Sequence, residues 1–307
     1  IAPPVGMPTD RRVNRRQYLS TLGAGGAVAL AGCSGGGSDG GESSAESGDE
    51  GGSAEEESAS AEAESTTAPE TVTIGSDIPY APFEYRNEAG ELVGFDVDIA
   101  EAVFAGELGV EYEFQETAFD GIIASLNNAN FRIIMSAMTI NETRAEEVDF
   151  SDPYFTAYQT VLVLDNGEIT ERADLRGVDV GVQRGTTGEA AAEDLQAEFD
   201  GELGIESYDQ ITGAFDALLN NQVSAVINDN TVSAAFAAEN DGVVFLEGDG
   251  VAADRENAPD YLTLTIEEYG IAFRQDDDAF REEVNGALAA IREDGTYDEI
   301  YGEYFEG

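Results

Sequence analysis

From Glu70 onward the apolar positions alternate between two periods. Thr71–Ser76 (TVTIGS) is a short β-branched run and predicts a strand. Between Asp96 and Leu108, the residues Val97, Ala100, Val103 and Phe104 recur at helical spacing. Val110–Phe114 predicts a second strand, and Phe119–Asn127 a helix with Ile122, Ile123 and Leu126 on one side. Phe131–Ala137 reads as a buried strand. Further on, the pattern predicts a strand at Val178–Val182, a helix from about Thr186, a helix near Thr212–Asn220, a strand at Val223–Ile227 and a helix from about Asn230. Glu268–Phe273 reads as another strand, and two helices close the chain. Strands alternating with helices predict an α/β fold with parallel sheets. Such sheets place ligands beyond the carboxyl ends of their strands. Residues 70–307 are long for one core and fit two lobes.

The chain before Glu70 reads differently. From Ser34 to Pro69 it holds no aromatic or branched aliphatic residue. Such a segment buries too little apolar area to offset its ordering entropy, so residues 33–69 are expected to form a disordered acidic Gly/Ser linker. Ahead of it, Arg11, Arg12, Arg15 and Arg16 precede a weakly apolar run from Leu19 to Ala31. That run is too short for a membrane span, which needs about 20 residues; it reads as the core of a signal peptide. Arg15-Arg16 followed by Tyr18-Leu19 resembles a twin-arginine (Tat) export signal. Leu30-Ala31-Gly32-Cys33 resembles a lipobox. The expectation is a signal peptide over residues 1–32, a start at Met7, and a lipid on Cys33 that holds the protein at the extracellular face of the cell membrane. The alternative is an N-terminal helix with a stray cysteine. Gly23, Gly25 and Gly26 weigh against it, at roughly 1 kcal/mol each. Cys33 is the sole cysteine, which excludes an intramolecular disulfide.

Charge adds the next bound. The 307 residues carry 64 acids and 14 arginines, with no histidine, for a net charge of −50. Cleavage before Cys33 takes away four arginines and Asp10, leaving 63 acids against 10 arginines. That self-repulsion disfavours a compact state in dilute buffer and is relieved when molar salt shortens the Debye length to about 3 Å. The composition reads as a halophilic surface. It also disfavours nucleic acid as a partner.

The segments at the predicted strand ends are GSDIPYAPFEY, VGFDVDIAEAV, FDGIIASL, SAMTINETR, VDFSDPYF, VGVQRGTTGE, NDN, YGIAFR and LAAIREDGTYDEIYGEYF. In this order, from Thr71 to Phe305, they resemble the family 3 extracellular solute-binding proteins, which deliver polar amino acids to ABC importers; with the leader, the chain resembles a haloarchaeal-type Tat lipoprotein of that family. The resemblance implies a two-lobed, type II periplasmic-binding-protein-like fold with hinge-linked lobes. Lobe one is expected at residues 70–157 plus 268–307 and lobe two at 158–267, with crossings near Thr156–Thr160 and Leu264–Glu268. It implies a monomer with an amino acid ligand and ABC permease subunits as partners, no cofactor and no metal.

An α-amino acid presents a carboxylate and an ammonium, and a closed pocket needs a fixed counter-charge for each. Arg144 suits the carboxylate, because guanidinium offers a bidentate fork. Ser136 and Thr139 add donors. Asp229 suits the ammonium. On their own, Arg144 reads more readily as a surface ion pair with Glu146 or Asp149, and Asp229 as a helix N-cap. The resemblance places both at ligand-contact positions. It also places Thr187 and Gly185 on the carboxylate, and lines the side-chain pocket with Asp77, Tyr80, Phe119, Gln183 and Asn228, with Ala137 in the same wall. Asp77 is the one charge in that set, which points to a polar uncharged or cationic ligand side chain. Arg132 and Ser224 stand where relatives usually carry Asp, which puts local strand geometry in doubt.

Phosphate loops, zinc-ligand clusters and nucleophile triads are missing from the sequence, and histidine is absent as a general base. A dehydratase-like enzyme on this architecture, with Asp77 or Glu84 as its acid, is the runner-up reading. An amino acid sensor is the third.

Overall fold

The computed structural model describes residues 68–305 apart from 256–257. The predicted signal peptide, Cys33 and the linker up to residue 67 lie outside the described residues.

In chain order, β1 (Thr71–Ser76) leads to a hairpin of β2 (Tyr85–Arg86) and β3 (Leu92–Val93). Helix α1 (Phe95–Ala100) continues in wider turns through Glu107. Then come β4 (Glu111–Glu116), α2 (Ile122–Asn127), β5 (Ile133–Ile134), α3 (Glu142–Ala145) and β6 (Asp149–Phe150). The long β7 (Phe155–Leu164) is followed by β8 (Asp179–Gln183), α4 (Thr187–Glu198), β9 (Gly204–Tyr208), α5 (Ile211–Leu219), β10 (Ala225–Asp229) and α6 (Asn230–Glu239). The chain closes with β11 (Val243–Phe245), β12 (Thr263–Tyr269), β13 (Ala272–Phe273), α7 (Asp278–Glu293) and α8 (Thr296–Phe305).

These strands form two main sheets, each the floor of one lobe. The first runs β4-β1-β5-β13-β6 and the second β11-β7-β10-β8-β9, with β12 also paired to β7. The expected α/β class is what the structure has. The sheets, however, are mixed rather than parallel throughout. β1 pairs in parallel with β4 and β5, and β8 with β9 and β10. β13 is antiparallel to β5 and β6, and β7 is antiparallel to β10, β11 and β12. The parallel pairs are the ones joined through helices. β7 and β13 arrive without a crossover helix, and a strand so delivered pairs antiparallel.

The single strand expected at Glu268–Phe273 is two. Tyr269 ends β12 in the second sheet, and Ala272 begins β13 in the first, with Gly270-Ile271 between them. β7 and β12 lie side by side, Phe155 opposite Tyr269 and Thr160 opposite Thr263. They are the two chain passages between the sheets, the arrangement of a two-strand hinge. The strand expected over Phe131–Ala137 ladders only at Ile133–Ile134. The residues after it turn away, and Ala137 adopts φ 44°. Polar Ser136 and the left-handed Ala137 belong to the ligand-side loop, which an apolar run cannot distinguish from strand.

Each lobe buries its own apolar layer. Val72 and Ile74 of β1 pack among Phe95, Ile99, Val103 and Phe104 of the first helix, with Phe280, Val284 and Leu288 of α7 completing the layer. In the second lobe, Val161 and Val163 of β7 and Val180 and Val182 of β8 meet Ala191, Ala192 and Leu195 of α4. Each such Val, Leu, Ile or Phe contributes about 1.5–3 kcal/mol when fully buried. Arg132 is accounted for here: it pairs with Asp277 at 2.6 Å and lays its guanidinium over Phe280, while its N–H reaches Thr73 O at 2.8 Å. Ser224 is exposed and donates its N–H to Asp179 O at 2.8 Å.

Candidate functional site

The carboxyl ends of β1, β5, β8 and β10 converge on one small cavity between the lobes, with about 20 Å³ of free interior. Its walls are Asp77, Tyr80, Phe119, Ser136, Ala137, Thr139, Arg144, Gln183, Thr186, Thr187 and Asp229. The structure therefore brings together all but one of the residues singled out as side-chain contacts. Asn228 stands behind the wall, where its Oδ1 accepts from the Tyr80 hydroxyl at 3.0 Å.

Arg144 is 7% exposed. Asn141 caps α3 by accepting the Arg144 N–H at 2.8 Å, which holds the short helix at the cavity edge. The guanidinium donates to Thr139 O at 2.8 Å and, across the cleft, to Gly185 O at 3.3 Å. It also lies over the Phe119 ring at 5.2 Å. Neither Glu146 nor Asp149 pairs with it among the described ion pairs. Burial lowers its pKa, and the Glu267 and Asp229 charges oppose that.

Asp229 is 5% exposed at the end of β10. It occupies the N-cap position of α6 without a capping hydrogen bond from its side chain. Its carboxylate turns inward instead. Oδ1 accepts from Gln159 Nε2 at 2.8 Å and Oδ2 from the Tyr80 hydroxyl at 2.5 Å. Burial, then the Glu267 charge, raises its pKa to about 7. Tyr269 stands close enough to influence that proton, although its hydroxyl lacks hydrogen-bond geometry to any partner.

Asp77 follows β1 and is also buried. Its N–H donates to Ser136 Oγ at 2.9 Å, and its carboxylate accepts from Gln183 Nε2 at 2.5 Å across the cleft. Burial raises its pKa to about 6, opposed by the Gln183 hydrogen bond and reinforced by Glu116 and Asp120. On the second lobe, Thr186 caps α4 by accepting the Glu189 N–H at 3.2 Å. That cap leaves Thr187 at the first turn, with its hydroxyl 3.4 Å from Thr139 Oγ1. Gly185 has φ +76°, and a Cβ there would lie 3.0 Å from Asp120 Cα of the opposite lobe. Only glycine fits both the turn and the close approach.

Two features of the site are absent from the sequence reading. Thr186 lines the cavity beside Thr187. Gln159, buried in β7, holds both Asp229 and Thr187, the latter at 3.1 Å. The signal for Gln159 is a glutamine inside the apolar run FTAYQTVLVL, where an uncompensated amide would be costly. Among the described residues the buried acids are Asp77, Glu84, Asp96, Asp229 and Glu267, against Arg144 as the buried cation. The cavity region is thus anionic, which favours cations and amines. Among the described residues no cluster of His, Cys, Asp and Glu has the geometry to hold a metal ion.

Comparison with known proteins gives a consistent result. The family described as bacterial extracellular solute-binding proteins, family 3, matches residues 72–307. A probable histidine-binding protein of Neisseria gonorrhoeae is 33% identical over 234 residues, covering 76% of this chain and 82% of that protein. ABC transporter arginine-binding protein 1 of Escherichia coli K12 is 32% identical, covering 78% of this chain and 92% of that one. Among solved structures, an ancestral arginine-binding protein bound to arginine superposes with a TM-score of 0.69 at 36% identity, covering 77% of this chain and 99% of that one. The fold is that of a type II periplasmic binding protein.

Proposed function

The chain belongs to the bacterial extracellular solute-binding proteins of family 3, and from that premise we propose that it captures a free α-amino acid outside the cytoplasm and delivers it to an ABC importer. The ligand has a polar uncharged or cationic side chain, with arginine the foremost candidate. One observation carries the reading: Arg144 and Asp229, from different lobes, are buried in the walls of one cavity that also contains Asp77. Arg144 pairs with the ligand carboxylate, with help from Ser136, Thr139, Gly185 and Thr187. Asp229 pairs with the ammonium. Asp77 and Gln183 meet the end of the side chain, and Tyr80, Phe119 and Ala137 enclose its stem.

Arginine displaces the Gln183 amide from Asp77 or shares Asp77 with it, replacing a neutral donor by a guanidinium fork. The histidine- and arginine-binding relatives support a cationic side chain. Closure follows from the hinge at β7 and β12: a ligand that contacts both lobes stabilises only the closed arrangement. Cys33, by its lipobox resemblance, carries the lipid anchor, residues 34–69 act as the tether, and the acidic surface suits molar salt. The body works as a monomer.

A panel of amino acids tested by thermal shift and calorimetry in molar salt checks this. A ligand bound only by the native state raises stability by RT ln(1 + [L]/Kd). Arginine is expected to give the largest shift and glutamate none. No shift with any amino acid would refute the reading. A second reading rests on Asp77, an acid of raised pKa within the cavity wall. If it served as a proton donor, a prephenate-like cyclic acid would be dehydrated. No turnover is expected.

A further inference from the structure

Two carboxyl groups beneath the cavity have no part in that reading. Glu84, at the end of the loop after β1, and Asp96, in the first turn of α1, are both fully buried. Asp96 is well supplied with donors. The Ala137 N–H reaches its Oδ2 at 2.9 Å, and the Tyr154 hydroxyl lies 2.9 Å from each oxygen. Glu84 Oε1 accepts from Ser136 Oγ at 2.7 Å. That same Ser136 oxygen receives the Asp77 N–H. Glu84 Oε2 has no donor in hydrogen-bond geometry, although the Ser76 hydroxyl, itself without such a partner, stands close enough to favour the charged form somewhat.

The titratable groups around the pair are Asp77, Tyr80, Tyr154 and Tyr297. None is a cation. Two adjacent carboxylates in a dry interior without a cation do not both ionise, because each raises the cost of charging the other. Asp96 has its oxygens occupied by three donated contacts from two groups, whereas Glu84 has one oxygen with none.

We propose that Glu84 is a neutral carboxylic acid in the working protein, that its Oε2–H is donated to the Asp96 carboxylate, and that this shared proton sets the floor of the binding cavity. Glu84 keeps its Oε1 for Ser136. Asp96 remains the anion that holds the Ala137 N–H, at a residue whose φ of 44° needs such an anchor. Ser136, Ala137 and Asp77 all line the cavity, so the carboxyl pair reaches three wall residues through three hydrogen bonds. Glu84 and Asp96 are positioning residues; neither lines the cavity. Burial, with the Asp96 charge next in size, pushes the Glu84 pKa well above its ordinary value, and burial raises Asp96 to about 6.

The inference about the proton stands on the carboxyl geometry; its link to affinity rests on the proposed amino acid binding. The test uses the full chain in molar salt, without ligand, at about pH 8.5, above the ordinary carboxyl range and above the Asp229 value of about 7. Infrared spectroscopy is expected to find the carbonyl stretch of a protonated carboxylic acid in the parent and to lose it in Glu84→Gln. The Gln side chain reproduces the neutral donor–acceptor form. It is expected to fold and to bind arginine within about threefold of the parent at neutral pH. A parent without the band, a band that survives Glu84→Gln, or a Glu84→Gln chain that fails to fold overturns the proposal. So does loss of the band in Asp96→Asn alone, which puts the proton on Asp96. A parent that shows the band but binds no amino acid refutes the solute reading and leaves the shared proton supported.

Discussion

Replacing Asp229 by asparagine is expected to stabilise the ligand-free protein while removing its ligand affinity. The carboxylate is buried, accepts from Gln159 and from the Tyr80 hydroxyl, and titrates at about 7. An ordinary Asp titrates near 3.9. The folded state therefore holds a proton that the unfolded chain has lost between about pH 4 and pH 7, and stability falls as pH rises through that window. Three units amount to about 4 kcal/mol at 1.36 kcal/mol each. Lobe opening rehydrates Asp229 and reduces this, so about 1–3 kcal/mol of gain is expected for the amide at pH 8 and none near pH 4. For a body of this size that is about 2–10 °C in melting temperature.

The amide also fits the existing hydrogen bonds. Its oxygen accepts from Gln159, and its NH₂ donates to the Tyr80 oxygen, which then donates to Asn228 Oδ1 at 3.0 Å. Binding moves the other way. The ligand ammonium is left buried without its anion, a loss of about 3–5 kcal/mol, or two to four decades in Kd. Melting curves at the two pH values, with arginine calorimetry in molar salt, give both readouts. A variant that binds within a few-fold of the parent, or whose stability gain is the same at pH 4 and pH 8, refutes the reasoning.

Other perturbations give distinct outcomes. Arg144→Ala and Arg144→Lys are both expected to lower arginine affinity by at least about a hundredfold, because an ammonium cannot span Thr139 O, Gly185 O and a carboxylate together; calorimetry that finds Lys equivalent to Arg contradicts the fork. Gly185→Ala imposes a left-handed non-glycine residue, costing about 1–2 kcal/mol in either state, and sets a methyl group against Asp120 only when the lobes meet; scattering should find a less closed arginine complex, and an unchanged radius contradicts this. With a net charge of −50, the melting temperature is expected to rise steeply between about 0.1 M and 3 M salt as the Debye length falls from ~10 Å to below ~3 Å; a flat profile removes the halophilic reading.

The parts of the fold legible in the sequence are those where one period runs long enough to be seen. β1, the first helix, α5 and the strand–helix junction at Asn230 lie within a residue or two of the pattern because their buried positions repeat at 2 or 3.6 residues. The two-residue strands are different. β5, β6 and β13 carry no period of their own, and only the neighbouring strands in space define them. β12 and β13 read as one strand because Gly270-Ile271 does not interrupt the apolar pattern; the break is a change of sheet, which local sequence does not encode.

The candidate site was legible for a different reason. Its wall residues cluster at strand ends, where short polar motifs interrupt apolar runs, and a polar residue in that setting needs a partner. Asp77, Arg144 and Asp229 sit in such motifs, and it is the family resemblance of those motifs that singles them out. What stayed hidden is how the layer behind them is held together, although Glu84 itself was named as a possible acid. Gln159, Glu84 and Asp96 are polar residues within a buried strand, a loop and a helix start, and their partners lie far away in sequence: 70 residues from Gln159 to Asp229, 52 from Ser136 to Glu84, 41 from Ala137 to Asp96. Motif spacing records what faces a ligand from one loop. It does not record which distant backbone N–H an acid holds in place. The charge balance points to that layer all the same. A cavity wall with two acids and one arginine, backed by three more buried acids, is stable only if some of those acids are neutral or if a cation joins them. The protonated Glu84 supplies the first remedy, and a cationic amino acid supplies the second.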